Sequence, residues 1–309
     1  MHRYIFKRLL MLIPVLLGVV FIIFFIMDLA PGDPVYMVAG DQATEEELDA
    51  LREQLGLSGN IFTRYLRYVN NMLHGDFGTS FVTKRDVFKT YMERLPNTIR
   101  LASLAMIIAI VVSIPLGIIA AVHQNSLKDT ASMVLSLLGL SMPNFWLGLL
   151  LILVFSLRLG WLPSGGYTGF RSIILPALTV ASGLAALLTR TTRSSMLDVI
   201  RQDYLRTARS KGVTERKVIN KHALCNALIP IITVFGIQFS NVLGGSALAE
   251  TVFSWPGVGR LVVDAINQRD IPTVTGALVM TTMLVSIVNL AVDIVYAYVD
   301  PRIKAQYTK

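Results

Sequence analysis

Between Arg190 and Lys221 nine lysines and arginines stand against three acidic residues, Asp198, Asp203 and Glu215. A cluster of that sign recognises anions: headgroup phosphates, nucleic acid, or an acidic protein surface. It is not the equipment of a catalyst. The four histidines (His2, His74, His123 and His222) are scattered with no HExxH, so no metal site is expected. The single cysteine, Cys225, excludes an internal disulfide and a CxxC site. No GxxxxGK-S/T loop occurs, and Gly-Lys is absent altogether, so the chain has no backbone cradle for nucleotide phosphates.

The cations sit on a patterned frame. Leu197, Ile200, Tyr204 and Ala208 recur at helical spacing and form one stripe. Lys211 falls where a cation favours the negative end of a helix, and Gly212 supplies the left-handed backbone that ends one. Thr214 is placed to cap a second helix, with Glu215 at its positive start and Val218, Ile219, His222 and Ala223 as its apolar side. Pro230 then suits the first position of a following apolar helix. Two readings fit this helix, glycine turn and helix. One is a loop lying on anionic headgroups; the other is a docking surface for a protein partner, which better explains the set glycine break.

The surrounding chain is apolar. Of 309 residues 53% are hydrophobic and only 16% charged, where soluble domains are nearer a quarter charged. Mean hydropathy is +0.59. Six segments approach bilayer length: Leu9–Leu29, Leu101–Val122, Ala131–Leu157, Ile173–Thr189, Ala227–Ala249 and Val274–Val299. Backbone in lipid must satisfy itself, so each is expected to be a helix. The first has the basic start of a signal peptide, but its apolar run is long and "LAPGDP" lacks a small-residue cleavage site, which predicts a retained anchor.

Basic residues set the expected orientation. With the N-terminus inside, the inner segments hold Arg3, Lys7, Arg8, Lys128, the nine from Arg190 to Lys221, and Arg302, Lys304 and Lys309, sixteen of the 28. Both termini are therefore expected in the cytoplasm, and the +8 net charge reflects inner loops, not nucleic-acid binding. The chain divides into an N-terminal transmembrane helix (1–30), an extracytoplasmic helical segment (31–97), and a five-helix core (98–309) with the basic loop at about 190–227. In the outer segment Thr44 and Glu47 form a capping box, Leu48, Leu51 and Leu55 share a face, and Gly56 ends the helix. Phe62, Tyr65, Leu66, Val69 and Leu73 predict a second helix; Val87, Tyr91 and Leu95 predict a third that stops at Pro96. This segment reads as a cap on the outer mouth or a dock for an outside partner.

Ionisable residues near spans are functional candidates. Asp293 is expected to pair with Arg190 or Arg193, or to meet a substrate's amino group. Glu250 and Asp28 are expected near the outer face, solvated or bound to backbone. Asn241, Asn289 and Gly244–Gly245 read as helix packing. Pro115 and Pro143 predict kinks. Trp255 suits a membrane interface, and Leu261, Val262, Ala265 and Ile266 predict a short amphipathic outer helix.

The basic passage is similar to the cytoplasmic "EAA" loop of binding-protein-dependent ABC import permeases. The family's Glu-Ala-Ala is here Arg206-Thr207-Ala208, followed by three residues and Gly212; arginine replaces the acid. "RTARSKG" and "HALCNALIP" resemble the peptide and nickel branch, as do "PGDP" (31–34), "GDFGTS" (75–80), "SMPNFW" (141–146), "RSSMLDV" (193–199), "FSWPGVGR" (253–260), "RDIP" (269–272) and "DPRI" (300–303), in family order. The resemblance is to the B-type permease subunit of dipeptide transporters. It implies an all-α integral membrane protein of six transmembrane helices with the ABC type I importer permease fold, multi-pass in a prokaryotic inner membrane. The implied function is a permease subunit importing dipeptides or oligopeptides by alternating access, or nickel, a metal chelate or glutathione on the same machinery. The implied partners are two cytoplasmic ATPase subunits that bind the ATP and Mg, a paralogous permease subunit, and an extracytoplasmic substrate-binding protein. No cofactor is expected in this chain. The residues the resemblance assigns to coupling are Tyr204, Arg206, Thr207, Ala208, Gly212, Val218 and His222. Of other classes, a channel would want a repeated pore-lining ring and an intramembrane enzyme a Ser/His or paired-carboxylate set within spans; neither pattern is evident.

Overall fold

The computed structural model describes residues 2–29, 35, 39 and 43–299. The "PGDP" and "DPRI" stretches and the Asp28 side chain lie outside the described residues. Every regular element described is helical, as hydrocarbon surroundings require. Five helical segments are long and apolar enough to cross a membrane: Leu9–Met27, Val87–Val122, Phe170–Ile200, Glu215–Gly245 and Ile271–Ile294. A sixth is a pair, Leu127–Ser141 and Asn144–Arg158, bent by 100°.

In chain order the helices are α1 (His2–Leu29), α2 (Glu45–Gln54), α3 (Ile61–Leu73), α4 (Val87–Val122), α5 (Leu127–Ser141), α6 (Asn144–Leu151), α7 (Ile174–Ile200), α8 (Asp203–Ser210), α9 (Glu215–Lys217), α10 (Leu224–Gly245), α11 (Ala247–Val252), α12 (Val258–Asn267) and α13 (Ile271–Val299). Two stretches are π-helical, Ile152–Arg158 after α6 and Val218–Ala223 between α9 and α10. The described residues form two compact units, one drawn from 2–97 with 256–287 and the other from 98–255 with 288–299.

Three expectations about prolines need correction. Pro96 does not end a helix; it lies inside α4, which is 36 residues long. Pro230 does not begin one but lies inside α10. Membrane helices tolerate such prolines because neighbours satisfy the freed carbonyls. Pro143, by contrast, does more than kink its span. The peptide groups at Met142 and Pro143 are extended (ψ 126° and 131°), so α5 stops and α6 starts afresh at 100°.

In the unit of residues 2–97 and 256–287, the capping box is present: Glu47 N–H donates to Thr44 Oγ1 at 3.4 Å and Thr44 N–H to Glu47 Oε2 at 2.9 Å. Those bonds hold the exposed Glu47 carboxyl below its ordinary range. Gly56 has φ +69° at the end of α2. Of the predicted α3 stripe, Phe62, Leu66 and Leu73 are exposed; Tyr65, Tyr68, Val69 and Met72 pack inward on Val20, Ile23 and Tyr91. Asp270 organises the chain here. It accepts from Ser80 Oγ (2.6 Å), Phe81 N–H (2.9 Å) and Thr273 Oγ1 (2.7 Å), so the "GDFGTS" and "RDIP" stretches meet at one buried carboxylate. The expected outer helix is α12, with Ala265 buried and Ile266 exposed.

In the unit of residues 98–255, α7 packs against α5, α6 and α10. Its core joins Leu101, Ala105 and Ala109 of α4 to Val180, Leu184 and Leu188 of α7 and Val242 and Leu243 of α10. Trp255 is fully buried in this core, edge-on to Tyr167 at 5.2 Å. Glu250 is likewise not solvated: it is fully buried and accepts from Thr98 Oγ1 (2.8 Å) and Ser246 Oγ (2.9 Å). Gly245 faces open space and Asn241 is exposed, so neither is a tight packing point. Close approach comes instead at Gly117, where a Cβ would lie 2.5 Å from Thr192 Cβ and 2.9 Å from the Thr189 carbonyl. Gly117→Leu is expected to drive α4 and α7 apart and destabilise the protein by roughly 1–3 kcal/mol, the usual cost of overpacking. A lowered melting temperature in detergent, partly restored by adding Thr192→Gly, checks this.

Candidate functional site

The basic passage folds as a compact hairpin, but with different joints from those its stripe predicts. Leu197 and Ile200 belong to the end of α7, which stops at Arg201. Gln202 is extended (ψ 145°), and α8 starts anew at Asp203. The first arm is therefore short, and the single stripe from Leu197 to Ala208 is broken. The second arm is not separate from the following span: α9, the π-helical stretch and α10 run as one segment from Glu215 to Gly245.

The turn is as expected. Gly212 has φ +76°, Val213 N–H donates to Ala208 O (3.2 Å), and Gly212 N–H donates to Arg209 O (2.9 Å). That is a Schellman closure, which requires the left-handed residue at Gly212. Thr214 precedes α9 but makes no side-chain cap. Instead the turn is clasped by a bidentate pair, Arg209 Nε and Nη2 to Glu215 at 3.0 and 2.9 Å. Asn226 Nδ2 donates both to Tyr204 Oη (2.8 Å) and to His222 O (3.0 Å), tying α8 to the start of α10.

Beneath the polar skin is an apolar core. Leu205, missed by the stripe, is fully buried with Met196 of α7, Ala121 of α4, and Val218, Ile219, Ala223 and Ala227. The signal for Leu205 was its place one residue after Tyr204 in a helix that restarts at Asp203; a continuous helix from Leu197 hides it. Val218 is therefore core, not contact surface. The outward groups are Tyr204, Arg206, Thr207 and Gly212, with Ala208 and His222 half-buried. Arg206 has a side chain 76% exposed and only a loose approach to Asp203 at 3.7 Å. Arg216, Lys217, Lys221 and Cys225 are exposed beside it. The hairpin thus presents a cationic surface on a rigid base, with no nucleophile, base or metal set.

Arg193 has a different partner from the one expected. It pairs with Asp129, not Asp293, through Nε to Oδ1 (2.6 Å) and Nη2 to Oδ2 (2.7 Å). Asp129 also accepts from Asn125 N–H at 3.0 Å. Asp129 begins α5, so the pair bolts α5 to α7 one turn before Met196 enters the hairpin core. Sequence reading missed Asp129 because nothing in its spacing links it to a residue 64 positions away.

The family described as "Binding-protein-dependent transport system inner membrane component" matches residues 113–305, and its N-terminal companion matches residues 1–102. The oligopeptide transport system permease protein AppB of Bacillus subtilis is 44% identical over 98% of this chain and 100% of its own. The glutathione transport system permease protein GsiC of Escherichia coli K12 is 42% identical over 98% and 99%. Among solved structures, an inward-facing MetNI methionine ABC transporter shares the fold at TM-score 0.59 and 19% identity, covering 68% of this chain and 96% of that one.

Leu205→Ala is expected to leave a cavity under the hairpin at a cost of about 2–5 kcal/mol. Backbone hydrogen exchange across residues 203–223 should accelerate while that of α12 stays unchanged. Removing the exposed Arg209–Glu215 clasp by Glu215→Gln should shift the same exchange far less.

Proposed function

Because the chain belongs to the binding-protein-dependent transport system inner membrane component family, we propose that it is the permease subunit through which separate ATPases drive import of peptides or of the tripeptide glutathione. The family and relatives make it a multi-pass bacterial inner-membrane permease and not itself an enzyme. The observation that carries the coupling role is the hairpin at 203–223: a cationic outer surface fused, through Leu205 and Val218, to the ends of α4, α7 and α10. A surface so fastened moves with the spans.

In this reading the hairpin lies in the cytoplasm with both termini. Each of two ATPases grips one permease, this chain and a paralogous subunit. ATP closes the ATPases; the hairpin follows as a lever and the helices change from inward-open to outward-open, receiving substrate from an extracytoplasmic binding protein. A ligand biases such an equilibrium only through different affinities for the two states. Tyr204, Arg206, Thr207, Ala208 and His222 supply the gripped face. Gly212 sets the angle between the arms, and Val218 anchors it. Substrate preference follows the relatives, whose names specify oligopeptides and glutathione.

Gly212→Val forces a β-branched residue to φ near +76°. With ATPases, partner permease and binding protein reconstituted, peptide uptake should fall at least tenfold while ATP hydrolysis persists and the chain stays in the membrane. Unchanged uptake would exclude the lever. Independently, the native Cys225 and a cysteine at Arg206 should crosslink to an ATPase subunit, and labelling from outside intact cells at either position would reverse the orientation.

A further inference from the structure

The apolar side of α3 is wider than the protein that covers it. At about 100° per residue, Tyr68, Met72, Tyr65, Val69, Phe62 and Leu66 span an arc of about 160°. Arg67, Asn70 and Asn71 hold the opposite arc. One flank of the apolar arc is covered: Tyr65, Tyr68, Val69 and Met72 pack into the cluster that holds Val20, Ile23 and Tyr91. The other flank is bare. Phe62 is 57% exposed, Leu66 64% and Leu73 75%. A bare apolar flank of that width calls for a second apolar neighbour.

Depth and continuity identify that neighbour. α1 crosses from Leu9 to Met27, and α3 lies against its second half. Phe62 stacks on Phe21 with 5.9 Å between rings, Phe24 meets Tyr68 at 5.1 Å, and Tyr65 Oη donates to the Leu17 carbonyl at 3.1 Å. From Phe21 to Met27 is about 9 Å of helix. Phe62 therefore lies at the level of hydrocarbon, in a core about 30 Å thick. A tyrosine hydroxyl at that level has no water to bond, and Tyr65 uses a carbonyl of the span instead. Continuity follows from the rings. Phe21 also stacks on Phe25 at 6.4 Å, and Phe25, Ile22 and Ile26 are exposed. Of the five spans, α1 is the one least covered by protein. The bare flank of α3 thus joins the lipid-facing surface of α1 through the Phe62–Phe21–Phe25 stack.

We propose that α3 is an interfacial helix, with Phe62, Leu66 and Leu73 immersed in the acyl chains of the leaflet at the Met27 end of α1. Phe62 meets Phe21 while Tyr68 meets Phe24, so α3 climbs obliquely towards that end and Leu66 lies deeper than Leu73. Asn70 and Asn71 face headgroups and water. Interfacial helices bury an apolar face about 5–10 Å into this boundary, the depth that Phe21 sets here. The segment after α1 is therefore not wholly outside the bilayer, and lipid, not an outside protein, takes this face of α3. The inference needs α1 to be a span; it is independent of the substrate and of the hairpin at 203–223.

Spin labelling of the assembled complex in liposomes tests this. Cys225→Ser removes the one native cysteine of the chain, exposed cysteines of the other subunits are replaced, and a single label is attached after Leu66→Cys, Leu73→Cys, Asn70→Cys or Asn71→Cys, all exposed positions. Collisions of the label with oxygen, which enters hydrocarbon, are compared with those of a nickel chelate. Because a polar chelate is excluded from hydrocarbon, the oxygen-to-nickel ratio should be about tenfold higher at positions 66 and 73 than at 70 and 71, and higher at 66 than at 73. Nickel access at 66 and 73 equal to that at 70 and 71 overturns the proposal in favour of a hydrated face. Few collisions with either probe at 66 and 73 overturn it in favour of a protein partner. Neither result bears on coupling, which is read at the hairpin.

Discussion

Everything proposed for the hairpin depends on one buried contact, Leu205 among Met196, Ala121, Val218 and Ala223. A surface loop held only by polar contacts would exchange them with water and swing free, since exposed ion pairs contribute at most about 1 kcal/mol. An apolar anchor of this size contributes several times that, and it is not directional, so it locks the arms to whichever spans supply its partners. Those partners come from the ends of α4, α7 and α10. Displacement of the hairpin is therefore displacement of three spans. The Gly212 closure and the Arg209–Glu215 clasp set the shape of the arms, while Leu205 attaches that shape to the membrane body.

The second constraint is the treatment of charge near the spans. Four carboxylates are placed against donors: Asp129 against Arg193, Glu250 against two hydroxyls, Asp270 against two hydroxyls and an amide, and Glu215 against Arg209. Asp129 and Glu250 link segments far apart in sequence, and breaking either would leave an uncompensated buried group, which is strongly destabilising. Their value is positional: they fix α5 to α7, and α4 to α11, at chosen registers that greasy surfaces alone would not specify.

What the sequence disclosed follows the range of each interaction. Spans were legible because hydropathy is summed over about 20 residues and survives local error. The capping box of Thr44 and Glu47, the φ of Gly212 and the short amphipathic helix α12 were legible because their causes lie within a few residues. The misreadings have three sources. Pro96 and Pro230 were treated by rules for helices in water, where a lost hydrogen bond is left to solvent. Leu205 was hidden because helical phase resets at Arg201–Gln202, and a stripe carried across the break assigns the wrong face. Asp129, Glu250 and Trp255 depend on contacts between distant segments, which no local pattern records.

The bend at Pro143 shows why the family stretches are more than labels. "SMPNFW" places an extended dipeptide between α5 and α6, and Gly148 of α6 then approaches Phe253, with a virtual Cβ at 3.0 Å from that ring. Phe253 opens "FSWPGVGR", and its carbonyl accepts from Gly166 N–H at 2.8 Å. Trp255 N–H donates to Glu250 O at 2.7 Å, and Asn97 Nδ2 donates to Pro256 O at 3.0 Å. These two stretches thus mark points where backbone leaves the helical path and is satisfied by other residues. In lipid such points are costly unless buried in protein. Residues there are fixed by the partner segment as much as by their own, so short weak stretches spread over the chain can jointly specify one fold.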